Sequence, residues 1–386
     1  MNVGLSTSVI QRGRSGVAQY VFSLLRAFLP YAGRHQFTLY ALEEDLPLFA
    51  FVEPRMKLAP VPERFRPPVK NILWHQIILP RLARRHRLDV LHVPSYRRML
   101  WARPCARVAT IHDLAPFRLA HKYDPKRTFY GRVVARRLAH RQDEIIAVSQ
   151  ETGRDILDFF QLSAERLTMI YNGLDHGRFF PGSREEARAF AGQRLGLHQP
   201  FFLYVARLEH PAKNHVRLIE AFNRFKAETR SDWQLVFGGS DWHGAEVIHA
   251  FLRQSPFARD IHCLGFVPEA ELSNWYRAAD VFVYPSLFEG FGLPPIEAMA
   301  CGCPVISSTR GSLAEVVGDA AALVDPESVN SLKQQMARLA SDHSLRAVLR
   351  EAGLKRAQCF NWDKTAAATL NVYSRAVARW QRTPSV

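Results

Sequence analysis

The sequence predicts an α/β protein of two domains, each built on a parallel β-sheet. Short apolar runs rich in Val, Ile and Phe alternate with longer helical patterns, as in βαβ units. The alternation restarts after a turn-rich connector, Tyr171-Asn-Gly-Leu-Asp-His-Gly-Arg-Phe-Phe-Pro-Gly182, in which Asn-Gly, two further glycines and a proline punctuate the chain. A length of 386 residues suits two domains.

In the first half, strands are predicted at 1–7, 37–41, 90–93, 106–111 and 144–148. A helix follows the first strand over 16–28, and another follows the last over 149–160, with Ser149 as its N-cap. In the second half, strands are predicted at 201–206, 234–238, 261–265, 281–284 and 304–307, with helices at 216–229, 269–278, 294–300 and 331–341. The closing segment 364–382 reads as a helix with Leu370, Val372, Tyr373, Ala376, Val377 and Trp380 on one broad face. The expected domains are 1–178 and 179–363, with 364–386 beyond them. Two such sheets facing each other leave an interdomain cleft at the carboxyl ends of their strands, where ligands of open α/β sheets bind. Motifs are therefore sought just after strands.

Composition narrows the class. Hydrophobic residues at 47% and charged residues at 23% are those of a globular protein. No apolar stretch reaches the ~20 residues that span a bilayer. The start, MNVGLSTSVI, reads as a buried strand rather than a signal peptide, so cytoplasmic residence is expected. Cys105, Cys263, Cys301, Cys303 and Cys359 are scattered and show neither metal-ligand spacing nor a disulfide framework; no metal is expected. The net charge of +15 is uneven: 28 Lys/Arg against 15 Asp/Glu in 1–180, but 23 against 21 in 181–386. Such a surface attracts nucleic acid, acidic lipid headgroups or a phosphate-bearing substrate, unless it is only a solvated face. Within the basic half, 69–86 holds Ile72, Leu73, Trp74, Ile77, Ile78, Leu79 and Leu82, followed by Arg81, Arg84, Arg85 and Arg87. That pattern suits an interfacial membrane helix or a helix packed on the N-terminal sheet. The apolar residues are assigned to the core, with Pro80 interrupting, and the arginines to a membrane contact.

Four motifs sit after strands. Pro285-Ser-Leu-Phe-Glu289-Gly-Phe-Gly-Leu-Pro-Pro-Ile-Glu297 follows the strand at 281–284. Pro294 and Pro295 suit a helix's first turn, and Gly290 and Gly292 allow close backbone approach. A glycine-rich helix start of this kind holds a diphosphate or sugar hydroxyls. Glu289 and Glu297 flank it, one carboxylate for a sugar and the other for a ribose. Val205-Ala-Arg207-Leu-Glu-His-Pro-Ala-Lys213-Asn-His places two cations on one loop, where they converge on a diphosphate. Gly13-Arg-Ser-Gly16-Val-Ala-Gln-Tyr20 brings Gly16 close to a ligand at the start of the first helix. Ala109-Thr-Ile-His112-Asp113-Leu offers His112 to a donor hydroxyl or an acceptor, with Asp113 orienting the imidazole or the acceptor loop.

The first motif resembles the E-x7-E signature of family 4 retaining glycosyltransferases, which have the GT-B fold. Its flanks, Ala279-Asp-Val-Phe-Val-Tyr-Pro-Ser286 and Ala298-Met-Ala-Cys-Gly-Cys-Pro-Val-Ile306, resemble the family too. The resemblance implies that Glu289 contacts the donor sugar near the reaction centre. It implies that the amides of Gly290, Phe291, Gly292 and Leu293 hold sugar and phosphates, and that Glu297 binds the ribose. Arg207 and Lys213 match the family's Arg-x5-Lys pair and are implied as diphosphate ligands. Gly16 resembles the N-terminal glycine loop, with Ser15 where a second glycine is common. His112 and Asp113 match a His-Asp pair that faces the donor sugar. The family's domains imply an N-terminal acceptor-binding domain, a C-terminal nucleotide-sugar-binding domain and a last helix that crosses back.

The activity so implied is transfer of a hexose from a nucleotide-diphosphate sugar with retained configuration, without cofactor or essential metal. The overall look is that of bacterial mannosyltransferases of surface polysaccharide synthesis, which makes GDP-mannose the expected donor. The basic half suggests a glycan acceptor on a polyprenyl pyrophosphate and peripheral contact with anionic membrane at its inner face. The base-contacting regions are expected at 238–240 and 265–268. Two rivals are a nucleotide-sugar 2-epimerase of the same fold and a basic nucleic-acid-binding protein. The first would convert donor without acceptor. The second lacks a zinc finger or aromatic ribonucleoprotein motif, and no nucleic-acid partner is expected.

Overall fold

The structure is a computed structural model that describes residues 1–13, 15–118 and 129–382. The chain divides into two compact units, Met1–Gly173 with Asn361–Val386, and Leu174–Phe360. The divisions fall at 173/174 and 360/361, where the sequence places them at 178/179 and 363/364. Residues 383–386 of the expected last segment lie outside the described ones.

The first unit holds a seven-stranded parallel sheet in the order β3-β2-β1-β4-β5-β6-β7. Its strands are β1 (Asn2–Ser6), β2 (Gln36–Leu42), β3 (Lys57–Val61), β4 (Val90–Val93), β5 (Ala106–Ile111), β6 (Glu144–Ala147) and β7 (Leu167–Met169). The second unit holds a six-stranded parallel sheet in the order β10-β9-β8-β11-β12-β13. These are β8 (Phe201–Val205), β9 (Gln234–Gly238), β10 (Ile261–Cys263), β11 (Val281–Tyr284), β12 (Val305–Ser308) and β13 (Ala322–Val324). Central strands such as β5 are buried along their whole length, because helices cover both faces of a parallel sheet. In each sheet the strand order reverses beside the first strand, at β1/β4 and at β8/β11. Loops leaving such strands diverge to opposite faces and open a crevice within the unit.

Strands β3, β7 and β13 have no counterpart in the sequence reading. All three are edge strands of three to five residues with exposed or half-exposed positions, and β3 contains Pro60. Edge strands need one apolar face at most and tolerate proline, so their signal is short and broken.

Helix α1 (Gly16–Phe28) is capped by Ser15, whose hydroxyl accepts from Ala18 N at 3.2 Å. Helix α2 (Pro68–Arg85) runs unbroken through Pro80, which corrects the expected interruption. Its apolar residues also divide. Trp74 and Leu79 pack with Tyr40, Leu42 and Val61, but Val69, Leu73 and Ile77 are 70%, 51% and 48% exposed rather than in the core. Helix α3 (Gln150–Phe160) starts at Ser149, whose hydroxyl accepts from Thr152 N at 3.0 Å.

In the second unit come α4 (Arg184–Leu195), α5 (His215–Thr229), α6 (Ala245–Gln254), α7 (Glu269–Ala278), α8 (Leu293–Ala300), α9 (Val329–Ser341) and α10 (His343–Ala357). The sequence reading has no α4, α6 or α10. Helix α4 buries only Ala187 and Ala191, so it has almost no apolar stripe to read. The last helix, α11 (Trp362–Arg382), packs into the core of the first unit: Leu370, Val372, Tyr373 and Ala376 join Val3, Leu5, Phe28, Val90 and Val108. Among the described residues no helix is long and apolar enough to cross a membrane.

Candidate functional site

In the second unit, the loops after β8 and β11 meet. Lys213, at the end of the β8–α5 loop, puts its Nζ 2.5 Å from Oε1 of Glu289 in the β11–α8 loop. The Tyr284 hydroxyl, at the end of β11, donates to the same oxygen at 3.0 Å. Both side chains of the ion pair are only about one-sixth exposed, at 16% and 15%, so water screens the pair little. The loops are joined by backbone as well. Leu287 N donates to Ala212 O at 3.0 Å, and Asn214 Nδ2 donates to Pro285 O at 3.0 Å and Pro326 O at 2.6 Å. The Tyr204 hydroxyl donates to the Lys213 carbonyl at 2.6 Å. Burial raises the Tyr204 and Tyr284 phenols well above their usual range, which keeps both protonated as donors.

The start of α8 has a shape that only glycine permits. Gly292, its N-cap, has φ +90°, and a Cβ there would lie 2.4 Å from Leu313 Cδ2. The Ser312 hydroxyl donates to the carbonyls of Glu289 at 3.0 Å and Phe291 at 2.9 Å, fixing the orientation of these peptide planes. Pro294 and Pro295 have no N–H, so amide donors at this terminus come from the glycine-rich segment before them and from Leu293. The Phe291 side chain is core, edge-on to Phe360 at 5.7 Å; only its backbone belongs to the loop's edge.

Glu297 lies one turn deeper and is 9% exposed. It accepts from the Tyr276 hydroxyl of α7 at 2.9 Å. Burial raises its carboxyl to about 7, against the lowering pull of Arg178 and of the Tyr276 hydrogen bond. Glu289 and Glu297 thus have different partners, Lys213 with Tyr284 and Tyr276, rather than a shared setting. The reason is the helix itself, which carries Glu297 away from the loop and against α7.

Arg207 and Lys213 also separate in their contacts. The Arg207 side chain is 44% exposed, with its guanidinium 4.6 Å over the Trp242 ring and 3.4 Å from Glu209. Gly239 explains the neighbourhood. A Cβ there would lie 2.0 Å from Ala206 O, and its N–H donates to Gly265 O at 2.7 Å. The loops after β8 and β9 therefore run side by side, which brings Trp242 to Arg207.

In the first unit, His112 follows β5. Its ring lies edge-on to Tyr20 at 4.7 Å, and its Nε2 is shut off from water with no hydrogen-bond partner. Burial lowers its pKa to about 4, opposed by a hydrogen bond to the Pro94 backbone, so the ring is neutral at pH 7. Asp113 accepts from Ala115 N at 3.0 Å, a contact that shapes the loop after the strand. Gly16 opens α1, and a Cβ there would meet nothing within 4 Å. Local packing therefore does not require its glycine.

The sequence reading missed Tyr284, Tyr276, Trp242 and Ser312. Ser312 alone had a signal, a glycine-containing loop (Arg310-Gly-Ser312) just after β12. The aromatic residues lie within ordinary strand, helix and loop patterns. Among the described residues, no group of three or more His, Cys, Asp or Glu is arranged to hold a metal ion.

Residues 186–356 match the family model for glycosyl transferases group 1, and residues 14–178 match that for glycosyltransferase family 4. The O-antigen chain mannosyltransferase B of Escherichia coli is 31% identical over 69% of this chain and 69% of its own. The chain belongs to glycosyltransferase family 4. Another relative in the family's range, the MMP alpha-(1->4)-mannosyltransferase of Mycolicibacterium hassiacum, is 33% identical over 66% of this chain and 59% of its own. The serotype-specific mannosyltransferase WbdA of Escherichia coli is 28% identical over 72% of this chain but 35% of its own, so this chain spans about a third of it.

Among solved structures, the sucrose-phosphate synthase of Thermosynechococcus elongatus superposes with a TM-score of 0.79 at 20% identity, over 98% of this chain and 99% of that one. WaaG, a glycosyltransferase involved in lipopolysaccharide biosynthesis, superposes with a TM-score of 0.71 at 15% identity, over 97% and 100%. These likenesses give the fold, which is GT-B.

Proposed function

We propose that this glycosyltransferase moves a mannosyl group from GDP-mannose to a hydroxyl of a glycan or lipid-linked glycan, with retained configuration and without an essential metal, in synthesis of a cell-surface polysaccharide. The observation that carries the reading is the Lys213–Glu289 contact. It unites the two motifs that match donor-binding residues of the family, at the carboxyl ends of β8 and β11. The names of the relatives favour mannose. The excess of Lys and Arg in 1–180 favours an acceptor that carries phosphate, such as a polyprenyl-pyrophosphate-linked glycan.

In this reading the second unit binds the nucleotide sugar and the first binds the acceptor. Lys213 exchanges partners when donor binds. The diphosphate takes the place of the Glu289 carboxylate, and Glu289 turns to the sugar hydroxyls. Arg207 and the backbone of Gly290, Gly292 and Leu293 share the phosphate charge, Glu297 receives the ribose, and Gly16 and His112 keep the donor-facing roles that the resemblance to the family implies. The bond from the anomeric carbon to the phosphate oxygen breaks with its electron pair leaving on GDP. The acceptor oxygen bonds to that carbon from the same face, and its proton passes to the departing phosphate oxygen. Arg207 and Lys213 stabilise the charge that grows on the leaving group. Loss of one such cation removes a few kcal/mol of transition-state stabilisation, roughly a hundredfold or more in rate.

A panel of nucleotide sugars tests this, first by thermal stabilisation and then by transfer to extracted lipid-linked glycans in the presence of EDTA. GDP-mannose is expected to stabilise the protein and to support transfer that survives chelation, with the product's anomeric configuration retained. Glu289→Ala is expected to lower turnover more than donor affinity. Absence of stabilisation by every nucleotide sugar would overturn the reading, and conversion of donor without acceptor would replace it with an epimerase.

A further inference from the structure

The loop that carries Arg207 is tied to the loop after β9 by a ladder of backbone hydrogen bonds. Ala206 N donates to Gly238 O at 2.9 Å, Leu208 N to Ser240 O at 3.0 Å, Trp242 N to Leu208 O at 3.0 Å, and His210 N to His243 O at 3.0 Å. The pairing of β8 with β9 thus continues past the strand ends, with Leu208 and Asp241 forming a parallel bridge. Gly244, at φ +76°, closes the far end, where a Cβ would lie 2.9 Å from Cβ of His210. Asp241 Oδ1 lies 2.9 Å from Nε2 of His249 on α6, which braces the loop on that helix. Trp242 is therefore placed by its backbone, and it remains 46% exposed.

Core packing does not account for an aromatic residue left so far in water. What the Trp242 ring does hold is the Arg207 guanidinium, 4.6 Å from its centroid. A cation over a ring face is attracted through its charge and keeps its N–H groups for other acceptors. A carboxylate does the opposite. Glu209 lies 3.4 Å from the same guanidinium, and there it competes with any phosphate for the donors. The ring can hold Arg207 both before and after a phosphate arrives. It thereby restricts the rotamers of a side chain that is 44% exposed, a cost that ligand binding would otherwise bear.

We propose that Trp242 is a positioning residue for the donor diphosphate, acting through Arg207 and not through the base or the sugar. The inference rests on the proposed role of Arg207 as a diphosphate ligand. It separates from a covering role for the ring by simple chemistry. Covering an apolar surface needs only bulk, which Leu supplies. Holding a cation needs an aromatic face, which Phe supplies and Leu lacks.

The test is titration of GDP and of guanosine into wild type, Arg207→Ala, Trp242→Ala, Trp242→Leu, Trp242→Phe and the Arg207→Ala/Trp242→Ala double variant. Melting temperatures are measured alongside and are expected to hold, because position 242 is exposed. Trp242→Ala and Trp242→Leu are expected to bind GDP at least about fivefold more weakly, with guanosine affinity unchanged. Trp242→Phe is expected to stay within about threefold of wild type. In the Arg207→Ala background, Trp242→Ala is expected to change GDP affinity by less than about twofold, since the ring then has no cation to hold. If Trp242→Ala does not fold, the contrast between Leu and Phe decides. Retained GDP affinity in Trp242→Leu, an equal loss for guanosine, or additive losses in the double variant would each overturn the proposal. If Arg207→Ala weakens GDP binding and Trp242→Leu does not, the positioning role is refuted and the donor reading stands. If wild type binds no GDP, the donor reading falls and this inference falls with it.

Discussion

Glu297 is the residue whose chemistry departs most from that of an ordinary surface glutamate. Its carboxyl is buried on the first turns of α8, and desolvation holds its pKa near 7. The folded state therefore binds the proton more tightly than the unfolded chain does. The stability this contributes is complete below pH ~4.5 and is lost as pH rises through about 7. Glu297→Gln keeps an acceptor for the Tyr276 hydroxyl but cannot ionise. It is expected to match wild type in urea stability at pH 5 and to exceed it at pH 8 by up to roughly 3 kcal/mol. A constant difference between variant and wild type across that range would mean that Glu297 titrates as an exposed carboxylate. Donor binding gives the group a second duty in the proposed function, since ionised Glu297 is the better acceptor from ribose hydroxyls. At this scale the sequence shows which residue types are present, but not that Glu297 faces Tyr276 or that Lys213 already holds Glu289.

The loop and helix at 285–300 act as one element. Gly292 supplies a left-handed turn, Ser312 anchors two carbonyls, and Asn214 ties the loop to the end of β8's own connection. Gly292→Ala adds a methyl at φ +90°, a backbone conformation that strains any residue with a Cβ, and it makes the end of the Leu313 side chain move aside. It is expected to cost about 2 kcal/mol or more in the second unit and to weaken nucleotide-sugar binding, read by urea unfolding and by thermal shift with donor. An unchanged unfolding midpoint would show that the turn is less constrained than its geometry states. The element was legible in sequence because glycine, proline and carboxylate lie within thirteen consecutive residues. Helices such as α4 were not legible, because two buried alanines leave no periodic signal.

Across the whole molecule, four histidines among the described residues are buried in neutral form. His75 and His92 in the first unit and His215 in the second have pKa values lowered to about 3, and His112 to about 4, each chiefly by desolvation. Each takes up a proton on unfolding below the unfolded value of about 6.5. The stability they contribute is present above that value and is lost as pH falls toward 4 and below. Near pH 5 the slope from these four groups approaches about 5 kcal/mol per pH unit, partly offset by Glu297, which is protonated in the folded state there. The urea midpoints of both units are expected to fall steeply between pH 6 and 4.5, with more proton uptake in the first unit. A flat profile would show that these rings are protonated in the native state.

The amino-acid sequence by itself determined two parallel α/β units, the positions of most central strands, and the glycine-, proline- and charge-bearing loops after β8 and β11. It could do so because buried parallel strands are continuous apolar runs and because glycine and proline punctuate turns within a few residues. Only the tertiary structure decided the partnership of Lys213 with Glu289, the burial of Glu297, the place of Trp242 beside Arg207, and the exposure of Val69, Leu73 and Ile77. Each depends on what packs from elsewhere in the chain. The pattern of α2 is equally apolar on both sides, and only the residues brought against Trp74 settle which side faces the core and which faces solvent.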